Sequence, residues 1–282
     1  MKFVSYRFEG RDAYGLVVGD GVVDLSRRLD GPKATLKGLI ASGEIDQAQA
    51  FLAETPDHKL ADIEFRPVIP NPDKILAIGL NYATHIKETG RDTPKQPMIF
   101  MRYPNACVGH LQPMIRPKAS ERLDFEGELA LIVGAGGRHI PKAWAYEHVA
   151  GYACFNDGSV RDWQNHTSQF GPGKNFMGTG PFGPWMVTPD EAGDPNDMEL
   201  ITRLNGQVMQ QAPVSDLMFD IPTLIEYCST FTHLEPGDVI STGTTGGVGA
   251  RRTPPLWMKP GDTIEVEITH VGILRNPIVD EA

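Results

Sequence analysis

Three acidic residues, Asp124, Glu126 and Glu128, stand at every second position of LDFEGELALIVG, residues 123–134, leading into an apolar run. In a β-strand, residues two apart share a face. Glu126 and Glu128 would then sit side by side at the mouth of a buried strand. Neighbouring carboxylates raise each other's pKa unless a positive charge lies between them. A divalent cation answers that need, and hard oxygen ligands favour magnesium, calcium or manganese over zinc. A solvated edge strand is the other reading the alternation allows.

Three further stretches carry residues of chemical interest. In GYACFNDGSVRDWQ (151–164), Asp157 ends an apolar run, so a strand terminus could project it into a site. Asn156-Asp157-Gly158 is also ordinary turn chemistry. Arg161 and Gln164, three apart, share a face if SVRDWQ is helical, and Arg161 could instead pair with Asp157 or Asp162. In NYATHIKETG (81–90), His85 and Glu88 meet on one face of a short helix. A carboxylate beside an imidazole fixes its tautomer and raises its basicity, as a general base requires; an exposed ion pair is the alternative. The fourth region is glycine-rich. GPGKNFMGTGPFGPW (171–185) places Lys174 in a flexible loop suited to closing on an anion. VISTGTTGGVG (239–249) lacks the G-K-[ST] ending of a nucleotide cradle and runs into RRTPP rather than a helix. Its backbone N–H groups could still hold a carboxylate or an oxyanion, or the stretch could simply turn between strands.

The elements that must position these residues are mostly strands. YGLVVGDGVVDL (14–25) reads as a hairpin, with β-branched runs around Gly-Asp-Gly. ATLKGLIASG and QAQAFLAET read as short helices, the first stopped by Gly43. RPVIPNPDK (66–74) holds three prolines in nine positions, which makes it an extended connector. A boundary near residue 70 therefore separates a small α+β N-terminal domain, 1–70, from a second domain, 71–282. There the runs KILAIGL, ELALIVG, FGPWMVT, ELITRLNGQ, DVISTG and DTIEVEI predict a mixed β core with few helices rather than a doubly wound sheet. One stronger helix lies in DIPTLIEYCSTF, with Pro222 in its first turn and Ile221, Leu224, Ile225 and Cys228 at helical spacing.

Composition narrows the function classes. A chain of 282 residues with net charge −10 has the makings of a folded protein but no basic face for nucleic acid or an anionic membrane. No run approaches the ~20 apolar residues that cross a bilayer. Cys107, Cys154 and Cys228 are odd in number and far apart, which supports neither a disulfide framework nor a zinc knuckle. A reduced, cytoplasmic compartment is the expectation.

Taken in order, LNYATHIKETG, LDFEGELALIVG, GYACFNDGSVRDWQ, GKNFMGTGPFGPW, STGTTGGVG and PPLWMKPGDTIEVEITHVGILRNP resemble the fumarylacetoacetate hydrolase family over residues 72–282. Residues 1–70 resemble the small extra domain of its longer bacterial members, the acylpyruvate hydrolases and 2-hydroxyhepta-2,4-diene-1,7-dioate isomerases. The resemblance implies a β-roll catalytic domain, usually homodimeric, with magnesium or manganese, or calcium, in each site. Glu126, Glu128 and Asp157 match the metal carboxylates, His85 and Glu88 the lid dyad, and Lys174 the loop lysine. Arg161 and Gln164 match substrate-binding positions, and Thr244 the threonine that meets a substrate carboxylate. Three departures bear on substrate identity: Thr84 where many members carry an acid, Arg102 where lysine is frequent, and Asn105-Ala106 in place of a serine-containing turn.

The implied substrate is a small anionic keto acid, and the implied reaction is hydrolysis of the C–C bond of a 2,4-dioxo acid to pyruvate and a carboxylic acid. Fumarylpyruvate and 2,4-dioxo-3-deoxy sugar acids are candidate substrates. The same site could decarboxylate oxaloacetate or isomerise a hydroxymuconate-type acid. Retention of both His85 and Glu88 favours hydrolysis, since the other reactions have less need of a water-activating dyad. A catalytically silent metal-binding protein on the same fold is the reading from another class. Loss of the dyad or of a ligand would have supported it, and neither is lost.

Overall fold

A computed structural model describes residues 1–90 and 92–282. From the sequence, residues of the lid and of the 91–98 loop are expected to decide the acyl group of the substrate; Arg91, the first of that loop, lies outside the described residues. The protein is mostly β with few helices, as the short apolar runs predict. Among the described residues the central sheet has twelve strands. From the N-terminal strand Lys2–Phe8 it runs through Gly180–Val187, Val149–Asn156, Gly127–Val133, Val239–Thr244 and Ile75–Gly79 to the edge strand Met98–Arg102. A five-stranded sheet, including Glu199–Leu204, Thr263–Ile268 and Gly272–Asp280, packs beside it.

The Gly127–Val133 strand shows why the centre is so apolar. All seven residues are buried. Leu129, Leu131 and Val133 join one core cluster, whereas Ala130 and Ile132 join another on the opposite face. A strand covered on both faces reads as a continuous hydrophobic run rather than an alternation. Helix Ile221–Phe231 covers the first face with Ile221, Leu224, Ile225 and Cys228. It begins where Asp220 accepts the Thr223 N–H at 2.9 Å, with Pro222 in the first turn, where its missing N–H costs nothing.

The N-terminal segment covers the other face. Its hairpin pairs Arg11–Val18 with Gly21–Asp24, and helix Leu36–Ala41 is capped by Thr35, which accepts the Gly38 N–H at 3.1 Å. The second expected helix is a 3-10 segment, Ile45–Phe51. Lys2–Phe8 pairs antiparallel with Gly180–Val187, so these strands continue the central sheet. Phe3, Leu16 and Leu39 share a core with Ile132, Phe155 and Phe182. Each such side chain contributes about 1.5–3 kcal/mol on burial. The proline-rich stretch 66–74 forms no regular element. No helix among the described residues is long and apolar enough to cross a membrane, and the three cysteines are free.

Candidate active site

Strand register assembles the acidic cluster. Gly127–Val133 pairs antiparallel with Val149–Asn156, setting Gly127 opposite Asn156. Glu126 and Asp157 are the next residues outward, and the Asp157 N–H donates to the Glu126 carbonyl at 2.8 Å. On the other side Glu128 lies opposite Thr244. Two strand ends and a strand start thus bring Glu126, Glu128 and Asp157 together. One carboxylate oxygen from each lies within 4.8 Å of the others, and all three residues are buried.

The cations around them are distributed unevenly. The Lys174 ammonium reaches Glu126 Oε2 at 2.6 Å and also pairs with Asp157. Arg102 Nη1 meets Asp157 Oδ1 at 2.6 Å, and Arg161 Nη1 meets Glu126 Oε1 at 2.7 Å. Glu128 has no ion-pair partner among the described residues; the Ser241 hydroxyl and the Gly243 N–H donate to its Oε2. Burial would raise the Glu126 carboxyl, but Arg161 and Lys174 outweigh it and hold the group far below its usual range. Burial, with Asp157 and Glu126 adding like charge, pushes Glu128 well above its usual range. A buried carboxylate left without a counter-charge beside two others is what a hard divalent cation would satisfy, so this donor set fits magnesium or manganese.

That imbalance has a measurable consequence. A raised folded pKa means the native protein holds a proton that the unfolded chain releases above the ordinary glutamate value of ~4.3. The metal-free protein therefore loses stability as pH rises through the window between the two values. Glu128→Gln removes this loss. In chelator-treated samples the variant should melt higher than the parent, with the gap widening as pH rises from the ordinary glutamate value into the neutral range. Melting curves that stay parallel across that range would contradict the charge imbalance.

Several sequence expectations change in detail. Lys174 is not on a flexible loop; it ends the one-turn helix Gly171–Lys174 and is almost fully buried. Arg161 pairs with neither Asp157 nor Asp162. It heads the short helix Arg161–Gln164, donates to Asp124 Oδ2 at 2.7 Å and to Gln164 Oε1 at 2.8 Å, and meets Glu126. The backbone N–H groups of the 239–249 turn do hold carboxylates, but the chain's own: Gly243 donates to Glu128, Gly247 to Glu88 and Gly249 to Asp124. Gly243 is required there, since its φ is +106° and a Cβ would meet the Asn81 Cβ at 2.7 Å.

His85 and Glu88 do share a face of helix Ala83–Thr89, with His85 Nδ1 3.3 Å from Glu88 Oε2. The Gly247 N–H fixes Glu88 at 3.0 Å. The imidazole Nε2 therefore remains for other work, and His85 lines the same cleft as Glu126 and Glu128. Thr244 also lines the cleft, its hydroxyl donating to the Gly127 carbonyl at 2.8 Å while accepting from Gln210. The cleft encloses about 530 Å³ and includes Arg161, Gln164 and Lys174 in its walls.

Two participants were missed in the sequence. Arg102, noted only as a departure, is buried against Asp157, the Gly158 carbonyl and the Thr179 hydroxyl. An arginine closing the apolar strand Met98–Arg102 was the available signal. Asp124, the unassigned member of the acidic alternation, accepts from Arg161, Gly249 and Ala250. Arg102→Ala should lower unfolding free energy by about 3–5 kcal/mol in urea titrations, because it breaks a fully buried ion pair and leaves Asp157 only Lys174, a cation it shares with Glu126. A loss under about 1 kcal/mol, the worth of an exposed pair, would show that Asp157 does not depend on it.

Comparison with known proteins bears on this constellation. The family profile described as Fumarylacetoacetate (FAA) hydrolase C-terminal matches residues 74–279. The chain belongs to the fumarylacetoacetate hydrolase family. Within it, the chain is 36% identical to the mitochondrial oxaloacetate tautomerase FAHD2A of Bos taurus, over 93% of this chain and 85% of that one. The crystal structure of 5-carboxymethyl-2-hydroxymuconate delta-isomerase from Mycobacterium smegmatis is 33% identical with a TM-score of 0.78, covering 100% of both chains. Maleylpyruvate hydrolase from Sphingobium sp. SYK-6, solved with manganese(II) and pyruvate, is 27% identical with a TM-score of 0.83, again over 100% of both chains. These fumarylacetoacetate hydrolase family relatives are enzymes: a tautomerase, an isomerase and a hydrolase.

Proposed function

We propose that this protein is a divalent-cation-dependent hydrolase that cleaves the C–C bond of a 2,4-dioxo acid of the acylpyruvate type. The observation that carries this reading is that His85, held by Glu88, lines the same cleft as Glu126 and Glu128, whose carboxylates cluster with that of Asp157. Glu126, Glu128 and Asp157 would hold magnesium or manganese, which when bound supplies Lewis-acid stabilisation of charge developing on substrate oxygens. Glu88 orients the imidazole, and His85 Nε2 takes a proton from water as the hydroxide adds to the C4 carbonyl. Thr244, Gln164 and Arg161 position the substrate carboxylate. Lys174 stabilises oxyanion charge; a donor aimed at such charge is worth about 2.7–4 kcal/mol. The C3–C4 bond breaks, its electron pair passes to C3, and the imidazolium returns the proton there. Pyruvate and a carboxylic acid leave.

A second reading, proton transfer at C3 alone, draws on the likeness to an oxaloacetate tautomerase over most of the chain. The same His85 would then move a proton between C3 and the C2 oxygen, exchanging a C–H bond for an O–H bond with every carbon–carbon bond left intact. Offering acetylpyruvate and oxaloacetate in parallel, with magnesium or manganese, separates the two. Metal-dependent release of acetate with pyruvate supports hydrolysis. Turnover of oxaloacetate enol with acetylpyruvate untouched would replace the hydrolase with the tautomerase.

We also infer a homodimer. The Met98–Arg102 strand lies at the edge of the central sheet, and Met101, Tyr103 and Met177 beside it are exposed. Unpaired apolar edges are normally covered. Light scattering at micromolar concentration should give twice the 30.9 kDa chain mass. A monomer would refute it.

A further inference from the structure

We propose that the outer end of the cleft is an anion subsite formed by Arg122 and Arg251, so that the substrate carries a second anionic group remote from its 2-oxo acid head. This rests on the functional reading above and narrows its substrate class to dianions.

The cleft runs from a buried floor to an exposed rim. Glu126 and Glu128 lie at the floor, whereas Arg122 and Arg251 are exposed and line the opening. Among the described residues neither guanidinium has an ion-pair or hydrogen-bond partner. Asp162, the acidic residue on that wall, accepts from the Ser120 hydroxyl at 2.7 Å and the Trp163 N–H at 3.1 Å. Two uncommitted cations therefore face one engaged anion, and a guanidinium presents a planar fork matched to a carboxylate. The lining also holds Phe100, Val248, Pro255 and Trp257, apolar surface among the polar Gln164 and Asn165. Apolar side chains of that kind suit a hydrocarbon or unsaturated spacer joining two charged ends.

The pair is also built rather than incidental. Arg122 immediately precedes strand Leu123–Asp124, and Arg251 ends the 3-10 turn Gly249–Arg251. Buried Asp124 clasps together the two segments that carry them: it accepts the Gly249 N–H at 2.8 Å and the Ala250 N–H at 2.9 Å. Met258 N–H donates to the Leu123 carbonyl at 2.9 Å, closing the other end of the loop. The clasp is tight enough to demand glycine. A Cβ on Gly249 would lie 2.6 Å from Asp124 Oδ1 and 2.0 Å from the Leu256 carbonyl oxygen. Arg161, which binds Asp124 and the floor carboxylate Glu126, also donates its N–H to the Arg122 carbonyl at 3.0 Å. Floor and rim are thus parts of one hydrogen-bonded unit, and positioning of this kind lowers the ordering cost of binding.

The test is calorimetric binding of pyruvate and of 2-oxoadipate to the manganese-loaded protein, for the parent, Arg122→Gln, Arg251→Gln and the double variant. Both side chains are exposed, so the variants should fold, and their melting temperatures check this. The parent should bind 2-oxoadipate roughly threefold to tenfold more tightly than pyruvate, a preference that shrinks with added salt. The double variant should lose the preference while its pyruvate affinity stays at the parent value. A preference surviving in the double variant, equal weakening of both ligands, or pyruvate binding with no preference in the parent would each overturn the subsite alone. Failure of both ligands to bind any of the proteins would overturn the functional reading and the subsite with it.

Discussion

Replacing Glu128 with alanine should abolish divalent-cation binding and turnover together while the chain stays folded. Glu128 is the member of the carboxylate cluster that has no cationic partner among the described residues. Glu126 and Asp157 already share Lys174, Arg161 and Arg102. The favourable electrostatics of a bound cation therefore fall most heavily on Glu128. The strand itself rests on Leu129, Leu131 and Ile132, which the substitution leaves in place. In the parent, metal at a hundredfold excess over its dissociation constant should stabilise the fold by about 2.7 kcal/mol. The variant should show no metal-dependent rise in melting temperature and no calorimetric signal, with unchanged circular dichroism. Magnesium or manganese binding at the parent affinity would mean that Glu128 is not a ligand.

His85→Ala should act on chemistry and spare binding. Among the described residues the imidazole makes one side-chain hydrogen bond, to Glu88, and its other nitrogen remains for the cleft. Removing a general base costs typically 10²–10⁴-fold in turnover. The carboxylate cluster is built by strand register and does not depend on helix Ala83–Thr89. Manganese affinity should therefore stay at the parent value while kcat falls by roughly that factor. Parent-rate turnover of the active substrate would remove His85 from the reaction.

The residues of this site were unequally visible in the sequence. Glu126 and Glu128 were legible because their spacing matches the period of a strand, and Asp157 because it ends an apolar run. His85 and Glu88 followed from helical spacing. What could not be read was long-range pairing. The closeness of Glu126 and Asp157 depends on an antiparallel register, and that of Glu128 and Thr244 on a second one with a shift. Arg102 reaches Asp157 from a strand 55 residues away. The use of loop amides was misjudged for the same reason: glycine-rich turns reveal free N–H groups but not which acid will claim them. Lys174 looked mobile because its neighbours are glycine and proline, yet its two carboxylate partners hold it in the interior. The continuity of the N-terminal strands with the central sheet likewise rests on two residue pairs, Lys2 with Val187 and Phe3 with Met186, that no local pattern announces.

Hydrolase and tautomerase readings share one event, transfer of a proton at C3 of a 2-oxo acid by His85 above the carboxylate cluster. Deuterium incorporation into the methyl group of pyruvate in heavy water, followed by proton NMR, measures it directly. With manganese-free protein plus magnesium, the parent should erase the methyl signal, and His85→Ala and Glu128→Ala should each leave it at the uncatalysed rate. A methyl signal that persists with the parent, or that His85→Ala erases equally fast, would contradict the account at its centre.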